Sequence, residues 1–205
     1  EYEDENEELK MYSDLLMDSG KRLLRTLGSI LDLSRLEEDG SIELENVKVL
    51  SLIQETMQEH EQEAMEKGLP ITIKVEDPEV CLALNPAFFQ QTMAHLLSNA
   101  IKFTDEGQIE VSLRKSDTGL LRISVSDSGI GMSEQFVSEK LFMKFEQESE
   151  GLDRNYEGAG LGLSIAKRVV EMMNGSIRVK SIKGEGSTFW MDFPIVPEQT
   201  FAITQ

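Results

Sequence analysis

The sequence predicts an α+β fold, helices layered on one sheet and preceded by a long amphipathic helix, and three observations carry that prediction. Apolar residues return at helical spacing in four segments, near 11–36, 47–67, 86–102 and 163–173. Five shorter segments, 71–75, 108–113, 120–126, 176–182 and 188–193, alternate apolar with polar residues, as strands with one buried face do. Glycine-bearing turns join the later strands into two antiparallel hairpins, and the order of elements is that of an α+β domain.

Taken in order, the chain opens with EYEDENEE, six carboxylates in eight residues, which reads as a solvated loop or helix start. In residues 11–36, Leu16, Leu23 and Ile30 stand seven apart, and Leu24, Leu27 and Leu31 widen the stripe. That face is too broad for a lone helix in water and requires a partner helix. Asp39-Gly40 signals a turn and, with the short alternating segment at Ile42 and Leu44, marks a domain boundary. The division is 1–41, then 42–197, then a loosely attached tail at 198–205. The helix of 47–67 stops at Gly68, a C-terminal cap residue, with Pro70 just after. Strand 71–75 buries Ile71, Ile73 and Val75 and exposes Thr72 and Lys74. Asn85-Pro86 opens the next helix, which ends about Lys102. The first hairpin turns at Asp117 and Gly119, and its second strand runs directly into Asp127. The last helix, 163–173, is followed by the hairpin around Gly184 and Gly186.

Composition sets the class. A length of 205 residues with 40% hydrophobic content supports a buried core plus an appendage. A net charge of −18 repels phosphate backbones and anionic lipid, which excludes nucleic-acid and membrane-surface partners. One cysteine, Cys81, cannot form an internal disulfide; it fits a reducing, cytoplasmic compartment and a role as small core filler. No apolar run reaches the roughly 20 residues a bilayer needs, and the acidic start is the opposite of a signal peptide's; a membrane anchor belongs, if anywhere, upstream.

Four motifs carry chemistry. In HLLSNAIKFT, residues 95–104, Asn99 shares a helical face with His95, and its amide oxygen can ligate Mg²⁺ without adding negative charge beside a triphosphate. Lys102 can reach phosphate oxygens. In DSGIG, residues 127–131, a carboxylate fixed at a strand end can accept from an adenine amino group, while Gly129 and Gly131 let backbone approach the base. LFMKF, residues 141–145, has Phe142 and Phe145 to anchor a polar stretch that suits a lid, in which Arg154 is the candidate for the terminal phosphate. GAGLGLSIAKRVVE, residues 158–171, places Gly158, Gly160, Leu161 and Gly162 at a helix start, an anion site built from backbone N–H groups. Its G-x-G-x-G spacing after a long polar loop does not match the dinucleotide fingerprint. GEGSTF, residues 184–189, adds Thr188 as a hydroxyl to support the Asp127 carboxylate. Each motif also has a plain structural reading, as helix surface, turn or core packing.

Together, HLLSNAIKFT, DSGIG, LFMKF, GAGLGL and GEGSTF resemble the N, G1, F, G2 and G3 boxes of the sensor histidine kinase ATP-binding domain, in the superfamily shared with gyrase and MutL. The resemblance covers residues 42–195 and implies a two-layer α/β sandwich of the Bergerat type, enclosing Mg-ATP under a lid. ILDLSRLEEDG resembles the end of the second helix of the kinases' dimerisation hairpin, which implies a homodimer through residues 12–38 and a helix upstream. A response-regulator receiver domain is the implied next acceptor. Family members have Asn at the position of His95, and gyrase-type ATPases a catalytic Glu; the missing Glu speaks against efficient hydrolysis. The acceptor motif, His-Glu followed by Thr-Pro or Asn-Pro, is absent, for His60 continues as EQEAM. The expectation is a kinase fragment holding the donor half of the reaction. The second reading is a nucleotide-binding pseudokinase, and the third a gyrase-like ATPase.

Overall fold

The computed structural model describes residues 42–116, 118–148 and 160–196, together with Tyr12, Met17, Gly20 and Gly28, which are helical. The remainder of the predicted long helix, Arg154 and Gly158 lie outside the described residues. β1 (Glu45–Lys48) leads into α1 (Val49–Glu66), then β2 (Ile71–Val75), β3 (Cys81–Leu84), α2 (Pro86–Phe103), β4 (Ile109–Lys115), β5 (Leu120–Asp127), α3 (Glu134–Glu139), α4 (Gly162–Met172), β6 (Ser176–Ile182) and β7 (Gly186–Pro194). Five strands form one mixed sheet in the order β2-β4-β5-β7-β6, with β2 and β4 parallel and the other pairs antiparallel. β1 and β3 pair separately.

Period-two alternation sorts the sheet into two faces. Ile109, Val111 and Leu113 of β4, Leu121, Ile123 and Val125 of β5, and Phe189, Met191 and Phe193 of β7 are buried. Against them pack α1, α2 and α4, so the core is one layer of helices on one layer of sheet. Phe89 of α2 meets Phe193 edge to face, with centroids 6.2 Å apart. The opposite face is polar. Cross-strand hydroxyl pairs, Ser112 with Ser124 and Ser126 with Thr188, both at 2.7 Å, bind its strands. Asp192, 2% exposed, is gripped by Arg122 through two bonds of 2.7 and 2.9 Å and by Arg178 at 3.3 Å.

The α+β expectation and the two-layer sandwich both hold. Cys81 does not fill the core: it is half-exposed on β3, its Sγ 3.7 Å from the Glu79 carbonyl. Among the described residues no helix is long and apolar enough to cross a membrane.

Candidate functional site

The floor of the candidate site is α2. Asn85 caps it by accepting from the Phe88 N–H at 3.1 Å, and Pro86 occupies the first position, where its missing N–H costs nothing. Phe89, Met93, Leu96, Leu97, Ala100 and Ile101 form the buried stripe, which leaves His95, Asn99 and Lys102 on a partly exposed flank. From His95 to Phe103 the axis rises about 12 Å at 1.5 Å per residue. Different parts of the chain meet the two ends.

At the Phe103 end stands Asp127, the last residue of β5. Its Oδ1 accepts from the Gly129 N–H at 3.0 Å and the Ser187 N–H at 3.2 Å. Among the described residues its Oδ2 has no hydrogen-bond partner. Burial pushes the carboxyl above the ordinary aspartate value, with the two amide bonds opposing. The loop that follows is pinned to α2, because the Ile130 N–H donates to the Phe103 carbonyl at 3.0 Å. Gly129 lies so close that a Cβ there would stand 2.2 Å from the same oxygen, which only glycine avoids. The Met132 N–H donates to Ser181 Oγ at 2.7 Å, and Gly131 backs onto the Ile182 carbonyl. Thr104 Oγ1 is buried beside Gly129 without a hydrogen-bond partner among the described residues.

At the His95 end stands the start of α4. A Cβ on Gly162 would lie 1.6 Å from His95 Nε2 and 1.8 Å from Cε1, so the imidazole edge fills the space a side chain would take. A cavity of about 30 Å³ beside this contact is lined by Gln91, Thr92, His95, Gly162, Ile165 and Ala166. Burial, and then the charge of Lys102, holds the imidazole below its ordinary value and therefore neutral near pH 7. Lys102 itself sits with its ammonium over the Phe103 ring, 4.9 Å from the centroid. Leu161, 1% exposed, anchors the chain just before α4.

The structure thus brings Asn99, Lys102, Asp127, Gly129, Gly131, Leu161 and Gly162 around one helix. Two expectations need correction. Thr188 lies on the polar face of the sheet, bonded to Ser126, while Asp127 opposes Ser187 in the β5–β7 register. The carboxylate is supported by the Ser187 amide instead, one residue earlier; alternation sends neighbours to opposite faces. Phe145 does not anchor in the core. It is 69% exposed with φ of 67°, whereas Phe142 packs against the core. The Phe145 N–H donates to the Gly160 carbonyl at 2.8 Å, which joins the two sides of the predicted lid. Ser187, Ser181 and Thr104 were missed as site residues. All three lie in or beside the motifs, but only the register shows what each one faces.

The family described as histidine kinase-, DNA gyrase B-, and HSP90-like ATPase matches residues 84–197. Sensor histidine kinase AruS of Pseudomonas aeruginosa is 36% identical over 187 residues, 88% of this chain and 18% of that protein. Sensor protein GacS of Pseudomonas syringae is 38% identical over 191 residues, 90% of this chain and 21% of that protein. The chain therefore spans about a fifth of the length of these curated relatives. Among solved structures, full-length ShkA in complex with AMPPNP superposes with a TM-score of 0.78 at 28% identity, covering 91% of this chain and 39% of that one. The family match covers more than half of the chain, and the geometry agrees with it: the chain belongs to the histidine kinase-, DNA gyrase B- and HSP90-like ATPases.

Proposed function

We propose that this chain is the ATP-binding catalytic part of a sensor histidine kinase, which binds Mg-ATP and passes the γ-phosphoryl to a histidine on another segment. The observation that carries the reading is the floor helix. An acceptor suited to a base stands at one end of about 12 Å of α2, and a glycine-opened helix start suited to anions stands at the other. The adenine amino group donates to Asp127 Oδ2, which has no other partner among the described residues, and the base lies over Gly129. Thr104 Oγ1, which has no partner among the described residues, supplies a second polar group there, directly or through water. Phosphates meet the N–H groups at the start of α4 and the Lys102 ammonium.

The donor set fits Mg²⁺. Asn99 offers a neutral oxygen on the exposed flank, and among the described residues no cluster of three acidic, histidine or cysteine side chains offers a full protein cage. A hard cation that keeps water and phosphate ligands suits one such oxygen, and when bound it neutralises phosphate charge. The chain's own residues orient the triphosphate and exclude water; a neutral His95 stands where a hydrolase of this family would carry Glu. Phosphoryl transfer depends mainly on such positioning. The parent protein dimerises through residues 12–38 and a helix upstream of residue 1, acts in the cytoplasm, and hands its phosphoryl group to a receiver domain.

The test mixes the chain with γ-labelled ATP and a separately made helical hairpin bearing a histidine. Label on that histidine is expected. ATP binding without transfer would replace this reading by a pseudokinase, and steady phosphate release without an acceptor would replace it by a gyrase-like ATPase.

A further inference from the structure

A helix leaves its last carbonyls without partners of its own. In α2 these are the carbonyls nearest the nucleotide site, and four successive oxygens accept from outside the helix. Lys67 Nζ reaches the Ile101 carbonyl at 2.8 Å, that of Lys102 at 3.2 Å and that of Thr104 at 3.5 Å. The Phe103 carbonyl, between them, takes the Ile130 N–H at 3.0 Å.

The lysine is held in place for this. α1 closes with backbone bonds from the Gly68 N–H to the Met65 carbonyl and from the Leu69 N–H to the Ala64 carbonyl, both 2.9 Å. Gly68 takes φ of 69°, and Leu69 is buried at 3% exposure. The end of α1 is therefore locked beside the end of α2, with Lys67 projecting across the gap. Its positive charge also sits at the negative end of the α2 dipole.

We infer that Lys67 is a positioning residue for the nucleotide site, fixing the last turn of α2 so that both ends of the ligand meet prepared partners. The inference rests on the nucleotide reading above. Lys67 does not touch the ligand. It holds the backbone of Lys102, one turn from Asn99, and it sets the carbonyl cluster onto which Gly129 and Ile130 dock beside Asp127.

The test uses the whole chain with Lys67→Met, Lys67→Gln and Lys67→Arg, read by calorimetric titration with Mg-ATP and by the backbone amide resonance of Ile130 without nucleotide. Lys67→Met binds roughly fivefold more weakly, about 1 kcal/mol, while Lys67→Arg stays within about twofold. The Ile130 resonance shifts in the Met variant and returns in the Arg variant, a signature that general softening of the fold does not give. Affinity within error of the wild type in a folded Lys67→Met would overturn the inference. So would weakened affinity with an unmoved Ile130. If Lys67→Met does not fold, Gln against Arg decides: equal affinities overturn the inference, and a loss confined to Gln supports it. A wild-type chain that binds no ATP would sink the nucleotide reading, while the Ile130 shift would still decide whether Lys67 sets that loop.

Discussion

Gly162 tests how α2 and α4 share the anion end of the site. In a helix interior Gly→Ala stabilises by about 1 kcal/mol, which is an upper bound for Gly162 as the first residue of α4, and Gly162 has no positive φ that would forbid alanine. Here the new Cβ would lie 1.6 Å from His95 Nε2, against a comfortable separation of about 3.5 Å. Either the ring or the first turn of α4 must shift by roughly 2 Å. The neighbouring cavity of about 30 Å³ has room for one water and not for a displaced imidazole. Overpacking of this kind costs about 1–3 kcal/mol, so after the helix gain the net loss of stability is about 0–2 kcal/mol. The larger effect falls on function. A displacement above 1 Å at the phosphate site lowers phosphotransfer by about a hundredfold. Calorimetry with Mg-ATP, the phosphotransfer assay and thermal melts measure the three quantities. Removing the obstacle should rescue the loss: His95→Ala with Gly162→Ala regains binding relative to Gly162→Ala alone, with a coupling of about 1 kcal/mol or more. Wild-type binding by Gly162→Ala, or a double variant no better than the single, would refute the argument.

Other consequences follow from the same geometry. Asp127 has a folded pKa above its unfolded value, so its ionised form costs stability at pH 7; Asp127→Asn should raise Tm slightly while reducing ATP affinity by about tenfold or more, read by melts and titration. His95 has a folded pKa below its unfolded one, so stability is full above about pH 6.5 and is lost as pH falls below it; in His95→Asn, denaturant melts across pH 5–7 should show a flatter slope. Arg122→Ala leaves the buried Asp192 with Arg178 alone and should cost about 2 kcal/mol in urea unfolding without changing ATP affinity, since the pair lies on the face opposite the site.

What could be read in the sequence follows from the range of the interaction that determines it. β2 was legible because its alternation at Ile71, Ile73 and Val75 is a local consequence of one buried face. α2 was legible because Asn85 and Pro86 mark its start and its apolar stripe, from Phe89 to Ile101, spans more than three turns. β3 was not, since the four residues Cys81–Leu84 are too few for a periodic signal and exist as a strand through pairing with β1. The six-residue α3, under two turns long, is likewise too short to show a helical period. Within the site, residue types pointed to Asp127, Gly129 and Asn99. The choice between Ser187 and Thr188 depended on the parity of a strand whose register is set 60 residues away. Lys67 carries no motif, and its three carbonyl partners lie 34 to 37 residues downstream. The His95–Gly162 contact joins two helices that no local pattern relates.

The bond from the Phe145 N–H to the Gly160 carbonyl has a further meaning for how such a site can vary. It ties Phe145 to Gly160 across 14 intervening residues, so the backbone on either side of that stretch is held together without reference to its length. Chain entropy then taxes insertions gently, about 0.6 kcal/mol for each doubling. A change in the number of residues between Phe145 and Gly160 should therefore leave Asp127, Asn99 and the start of α4 in their places.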